Sequence, residues 1–279
     1  MTDRAADFLA LHVPGTPLLL PNPWDAGSAR LLAGMGFHAL ATTSAGFAGT
    51  HGRTDGNVTR AEALGHAAAV VGAVRVPVSA DLENGLADDP DGVAETVRMA
   101  VEVGLAGCSV EDWDPTAHQL YAPQVAAQRV AAAAQAAHGG ERRLVLTARA
   151  DGHIHGNRDP EDLDDTIRRL QAYDEAGADV LYAPGVNSVE GIRRIVESVS
   201  RPVNVLALAD APPVSRLAEL GVARVSTGSG LFWAAMGGLA GAAEELRDRG
   251  TYAFWSGAAR GRAAASVAFL DGDRAPRHS

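Results

Sequence analysis

Short apolar runs recur along the whole chain, each separated from the next by a helix-like stretch. They are Leu18 to Leu20, Ala39 to Ala41, Val76 to Ala80, Cys108 to Val110, Leu144 to Thr147, Val180 to Ala183, Val203 to Leu206 and Val222 to Ser226. Runs of this length between turn signals read as buried strands. Several are introduced by the same joint: Gly36-Phe37, Gly104-Leu105, Gly177-Ala178 and Gly221-Val222. Each Gly follows an amphipathic segment such as Leu163 to Ala176, the position a left-handed helix C-cap requires. Eight strands alternating with helices, with no low-complexity linker, predict an α/β chain folded as a single (β/α)8 TIM-type barrel. An open doubly wound sheet is the alternative.

The end of the chain follows a different pattern. Leu231 to Arg249 and Tyr252 to Leu270 read as extra C-terminal helices, with apolar surface at Phe254, Trp255, Val267, Phe269 and Leu270. We therefore expect the barrel to occupy residues 1–249. Residues 250–279 should form a helical segment that packs on a neighbouring subunit, with Arg274 to Ser279 frayed.

Composition narrows the chemistry. The 279 residues are 47% hydrophobic and 21% charged, so the chain carries a sizeable core. A net charge of −10 argues against nucleic acid or an anionic membrane surface as partner. No apolar run approaches the ~18 residues of a membrane span, and no signal-peptide stretch opens the chain, so a cytoplasmic protein is expected. All 24 basic residues other than His are Arg. The missing Lys amine excludes a Schiff-base aldolase, a pyridoxal phosphate enzyme and a Walker-A site. The single Cys108 excludes intrachain disulfides and cysteine-cluster metal sites.

Barrel chemistry sits at the C-terminal ends of the strands. Here those ends read Asn22-Pro23-Trp24-Asp25, Thr42-Thr43-Ser44-Ala45-Gly46, Asp81-Leu82-Glu83-Asn84-Gly85, Glu111-Asp112, Arg149-Ala150-Asp151, Asn204 and Ser226-Thr227-Gly228-Ser229-Gly230. Asp81, Glu83 and Glu111 would project into one basin with Arg149 beside them. Carboxylates so crowded repel unless a cation or protons neutralise them. Oxygen-only donors suit Mg²⁺, with Mn²⁺ as a substitute. Arg149 either clamps a substrate carboxylate through its guanidinium fork or pairs internally with Asp151 or Glu111. Ser44-Ala45-Gly46 offers small residues whose N–H groups can approach an anion. His153 and His155 are expected to be solvated. The glycine-rich turn after the last strand is open to two readings, a phosphate cradle or a tight turn.

Taken in order, Asn22-Pro23-Trp24-Asp25-Ala26, Thr43-Ser44-Ala45-Gly46, Asp81-Leu82-Glu83-Asn84-Gly85, Val110-Glu111-Asp112, Ala148-Arg149-Ala150-Asp151 and Pro202-Val203-Asn204-Val205-Leu206 resemble the isocitrate lyase/phosphoenolpyruvate mutase superfamily. The resemblance implies a Mg²⁺-dependent barrel that binds small 2-oxo acids, assembled as a homo-oligomer (dimer or tetramer) that exchanges a C-terminal helix. It makes Asp81 the direct metal ligand, with Glu83, Glu111 and Asp55 holding metal-bound waters. Ser44, Ala45 and Gly46 become the cradle for the substrate carboxylate and oxo oxygen, Arg149 the clamp and Asn204 a further polar contact.

The chain also departs from that family. Isocitrate-type lyases carry a Lys-Cys-Gly-His loop after the fourth strand, and phosphonopyruvate enzymes use a Lys there. This chain has Glu111-Asp112-Trp113-Asp114-Pro115-Thr116-Ala117-His118-Gln119-Leu120-Tyr121. The expectation is a lyase that cleaves a C–C bond of a small 2-oxo or 2-hydroxy dicarboxylic acid through a metal-bound enolate. An oxaloacetate decarboxylase-like reaction fits best, because its cleavage step needs no general acid; His118 or Tyr121 could return the proton later. The alternatives are a phosphonate or phosphate-ester hydrolase or phosphonomutase-like enzyme, and a non-catalytic 2-oxo acid binder.

Overall fold

The computed structural model describes residues 4–156 and 160–273. Eight parallel strands form one sheet in the order β1 (Leu18–Leu20), β10 (Arg224–Ser226), β9 (Val203–Leu206), β8 (Val180–Tyr182), β7 (Val145–Arg149), β4 (Gly107–Glu111), β3 (Val78–Asp81) and β2 (Leu40–Ala41). The outer two strands meet where the Ala41 N–H donates to the Pro21 carbonyl at 3.2 Å, closing the barrel. Asn22 reinforces the seam: its amide donates to the Thr42 carbonyl at 2.9 Å and accepts from the Thr227 N–H at 2.9 Å. The remaining strands, β5 (Trp113–Asp114) and β6 (Gln119–Leu120), form an antiparallel hairpin above β4.

Every apolar run read as a strand overlaps one, and the four glycine joints all adopt positive φ: 92° at Gly36, 87° at Gly104, 102° at Gly177 and 83° at Gly221. Inside the barrel, alternate residues face inward, while their neighbours join the shell of helices. α4 (Arg60–Ala73), α5 (Pro90–Glu102), α6 (Pro123–His138), α7 (Pro160–Glu175) and α8 (Val189–Ser198) bury residues such as Leu64, Val97, Val130, Leu170 and Ile192 against it. Start signals are local: Asp25 caps α2 (Ala26–Gly34), Thr59 and Glu62 form a capping box on α4, and Asp89 precedes Pro90 on α5.

The foot of the barrel is sealed. α1 (Arg4–Ala10) places a fully buried Phe8 beneath the strands with Leu18, Leu20, Ala41 and Val145. Only Gly fits at position 107, because a Cβ there would stand 2.7 Å from the Phe8 ring and 2.9 Å from the Val145 carbonyl oxygen. Behind the plug, buried His12 holds the Phe8 carbonyl at 2.9 Å, and its other ring nitrogen lies 3.2 Å from the Arg224 guanidinium.

Past the barrel, α10 (Gly230–Arg249) buries Phe232 and leaves Trp233, Met236, Leu239 and Leu246 exposed. α11 (Trp255–Asp273) returns to α2 of its own chain, where buried Ala268 lies against Gly34. Its Trp255, Val267 and Phe269 are exposed. The side chain of Leu270 and the whole of Arg274 to Ser279 lie outside the described residues.

Candidate active site

The strand ends converge on one open cavity of about 860 Å³ at the mouth of the barrel. Asp81 ends β3 and sits at its centre. It accepts from the Ser44 hydroxyl at 2.8 Å, from the Ser44 N–H at 3.3 Å and from the Arg149 guanidinium at 2.9 Å. Ser44 opens α3 (Ser44–Thr50), the short helix after β2 that Thr43 caps. Register brings the rest together: Glu111 of β4 pairs with Arg149 of β7, and Arg149 with Tyr182 of β8.

Arg149 is saturated with carboxylates. Its Nε and terminal nitrogen grip Asp151 at 3.1 and 2.6 Å, a bidentate fork. The same terminal nitrogen lies 2.9 Å from Glu111, and the guanidinium stacks 5.5 Å above the Tyr182 ring. Of the two readings offered for this residue, the internal pairing with Asp151 and Glu111 is the one present in the cavity wall.

One guanidinium does not balance so many acids. Burial, reinforced by Asp81 and Asp55, pushes the Glu83 carboxyl up to about 8, and Glu83 holds a strained φ of 49°. Burial also raises Glu111 well above the ordinary carboxylate range against the pull of Arg149. Asp55, on the loop after α3, is raised by desolvation and then by repulsion from Asp81. Among the described residues, no three His, Cys, Asp or Glu side chains form a ready-made metal cage.

Most of the sequence-predicted site assembles here: Ser44, Ala45, Asp55, Asp81, Glu83, Glu111, His118 and Arg149 all line the cavity. Gly46 is buried behind it and donates to the Thr43 hydroxyl. Asn204 is 1% exposed within the barrel below, where its amide donates to Ser226. His118 is exposed on the β5–β6 hairpin turn. Tyr121 faces another way, its hydroxyl accepting from Asn84 and its ring lying under Arg129. Cys108 is buried in the helix-facing core, and burial pushes its thiol up. The turn after β10 is clasped to Asn22 through Thr227, while Gly228, Ser229 and Gly230 line the cavity at the start of α10.

One expectation changes. Of the His153 and His155 pair, His153 is buried and not solvated, while His155 is exposed and stacks flat on Trp113, ring centroids 3.6 Å apart. Residues the sequence left without a role also matter. Asp112, buried at 3% exposure, accepts from the Asp151 N–H at 2.8 Å, the Tyr173 hydroxyl at 2.6 Å and Arg169 at 3.2 Å, so it positions the acid that grips Arg149. Asp112 directly follows Glu111 in a strand-end acid pair, which was its only signal.

Known proteins are similar to this chain. Residues 8–247 match the family model for phosphoenolpyruvate phosphomutase. A crystal structure of a putative lyase/mutase from Burkholderia cenocepacia is 46% identical, with a TM-score of 0.89 over 98% of this chain and 96% of that one. An uncharacterized protein of Mycobacterium tuberculosis is 35% identical over 86% of this chain and 89% of its own length. The 2-methylisocitrate lyase of Halalkalibacterium halodurans is 28% identical (77% and 67% covered), and the oxaloacetate decarboxylase of Pseudomonas entomophila 27% (82% and 80%). The chain belongs to the phosphoenolpyruvate phosphomutase family, within the PEP mutase/isocitrate lyase superfamily.

Proposed function

We propose that the chain is a carbon–carbon lyase acting on a small 2-oxo or 2-hydroxy dicarboxylic acid, with an oxaloacetate decarboxylase-like reaction as the best fit. The observation that carries this reading is the convergence of Asp55, Asp81, Glu83 and Glu111 with one guanidinium on a single cavity. The donor set is all oxygen and short of positive charge, which suits Mg²⁺ or Mn²⁺. Asp81 would be the direct ligand, and Glu83, Glu111 and Asp55 would hold its waters. When bound, the ion supplies a Lewis acid for the substrate's carboxylate and oxo oxygens.

The chain's own groups do the rest. Ser44 and Ala45, at the start of α3, orient the carboxylate, and Arg149 contributes positive charge where negative charge develops. In decarboxylation the electron pair of the broken C–C bond passes toward the oxo oxygen and CO₂ leaves, with no acid needed at that step. A proton then returns to carbon from His118 or from water. The β5–β6 hairpin stands where isocitrate-type lyases carry their Lys-Cys loop, which favours this order of events over a retro-aldol cleavage.

The test is turnover of oxaloacetate with Mg²⁺, with and without EDTA, in wild type and Asp81→Ala. Wild type should turn over only with metal, and Asp81→Ala should lose that activity while its circular dichroism stays native. Unchanged Mg²⁺ affinity in the variant, or equal binding of pyruvate in EDTA, overturns the assignment. A second reading, phosphonate or phosphate-ester chemistry, is favoured by the N-terminus of α10, which opens at the cavity without a side-chain cap. A phosphate requirement for activity would select it. Ligand binding without any turnover would select a non-catalytic binder.

We further propose a cytoplasmic homo-oligomer, dimer or tetramer, in which residues 250–279 pack on a neighbouring subunit. The exposed Trp255, Val267 and Phe269 of that segment, with Leu239 and Leu246 of α10, support it. A monomer by light scattering excludes it.

A further inference from the structure

The two sides of the cavity differ in kind. The acids and Arg149 come from the ends of β3, β4 and β7 and the loop after α3. Going on around the barrel, the loops after β7, β8 and β9 and the first turn of α10 bring Ile154, Pro184, Leu208 and Trp233 to the same cavity. Trp113 of the hairpin joins them, held flat against His155 with an interplanar angle of 8°. Ile154, Leu208 and Trp233 are 40%, 37% and 56% exposed, so large apolar side chains are presented to the cavity and not withdrawn into the core.

Between these apolar residues stand the polar His155, Thr227 and Ser229, and Asp151 at the root of the loop after β7 is turned onto Arg149. A carboxylate set against Ile154, Leu208 and Trp233 would be desolvated by apolar side chains, whereas an alkyl or aryl group would not. A three- or four-carbon acid head, anchored at Asp81 and Arg149, also leaves most of an 860 Å³ space unfilled.

We propose that Trp113, Ile154, Leu208 and Trp233 form an apolar subsite for a branched-alkyl or aryl group carried by the substrate beyond its 2-oxo acid head. The inference rests on the 2-oxo acid reading above and narrows it from small dicarboxylic acids in general to acids with an apolar substituent. A phenyl ring that loses roughly 100 Å² of surface to such walls gains about ten- to hundredfold in affinity. Stacking on Trp113 adds the offset geometry aromatic pairs prefer.

Calorimetric titration of the full chain with Mg²⁺ tests this, using pyruvate, 4-methyl-2-oxopentanoate, phenylpyruvate and 2-oxoglutarate. The branched and aryl acids should bind about ten- to hundredfold more tightly than pyruvate, and 2-oxoglutarate no more tightly than pyruvate. Trp113→Ala should remove the preference and leave pyruvate affinity alone. Leu208→Asp, at a more exposed position, should do the same if loss of Trp113 disturbs the hairpin. Equal affinity for pyruvate and phenylpyruvate, or tighter binding of 2-oxoglutarate, overturns the subsite and leaves the 2-oxo acid reading intact. Binding of none of the four acids overturns that reading and the subsite with it.

Discussion

At its foot the barrel is filled by Phe8, Leu18 and Val145, with His12 and Arg224 meeting as neighbours just above. At its mouth, Asp55, Asp81, Glu83, Glu111 and Asp151 surround Arg149 and an open cavity. The same strands build both ends. Along β7 the inward positions run Val145, Thr147, Arg149, and along β4 they run Gly107, Ser109, Glu111. Each step of two residues moves from apolar or small, through hydroxyl, to charged. Stability and chemistry thus occupy opposite ends of one ladder, and a substitution should disturb one end without the other.

The largest effect should come from the foot. Phe8→Ala removes a fully buried ring and should cost about 3–5 kcal/mol of unfolding free energy in urea. Mg²⁺-dependent ligand affinity per folded molecule should be unchanged. If affinity falls in parallel, the two ends are coupled and the separation fails.

A smaller effect follows from pH. Burial and Arg224 hold His12 down to about 3, against an ordinary value near 6.5. The folded protein keeps this ring neutral while the unfolded chain protonates it. Its contribution is therefore complete above about 6.5 and is lost as pH falls toward 3, at up to about 1.4 kcal/mol per pH unit. His12→Gln keeps an acceptor for Arg224 but cannot titrate. The stability of wild type relative to this variant should decline below pH 6.5; a constant difference between pH 7 and 4.5 contradicts the account. The acids at the mouth shift with the opposite sign. Glu83, raised to about 8, favours the fold as pH drops from 8 toward the ordinary carboxylate range, so only the variant comparison isolates the foot.

The smallest of the three sharpens the description of the mouth. Arg149→Lys keeps the charge and loses the fork on Asp151. Where the substrate carboxylate also takes an N–H of this guanidinium, binding of pyruvate with Mg²⁺ should weaken about ten- to hundredfold, the worth of a charge-assisted hydrogen bond. Because Asp81, Glu111 and Asp151 all lean on this guanidinium, the melting temperature should fall as well. Lost stability with intact affinity would reduce Arg149 to a structural partner.

The barrel was legible in the sequence because a buried parallel strand needs a short apolar run and its helix needs a glycine to stop. The acids were legible because they follow those runs directly. The β5–β6 hairpin was not, since Trp113-Asp114 and Gln119-Leu120 are too short and too polar to alternate over any useful length. Tyr182 was hidden inside the apolar run that ends β8, where nothing local marks it as the inward residue beneath Arg149. The Trp113–His155 stack depends on two loops meeting, and neither loop carries a local pattern that announces the other.

The seam between β1 and β2 sets how the cylinder behaves under strain. Every other pair of neighbouring strands is joined by a ladder, whereas here one backbone hydrogen bond and the Asn22 side chain carry the closure among the described residues. Mechanically the barrel is a hoop with a single thin weld. Thermal breathing concentrates at such a weld, and the Ala41 amide is the first of the inner strands to lose its partner when the hoop gapes. That weld lies directly below Thr42, Thr43 and Ser44, so the cradle beside Asp81 is mounted on the arc of the ring with the fewest strand-to-strand hydrogen bonds among the described residues.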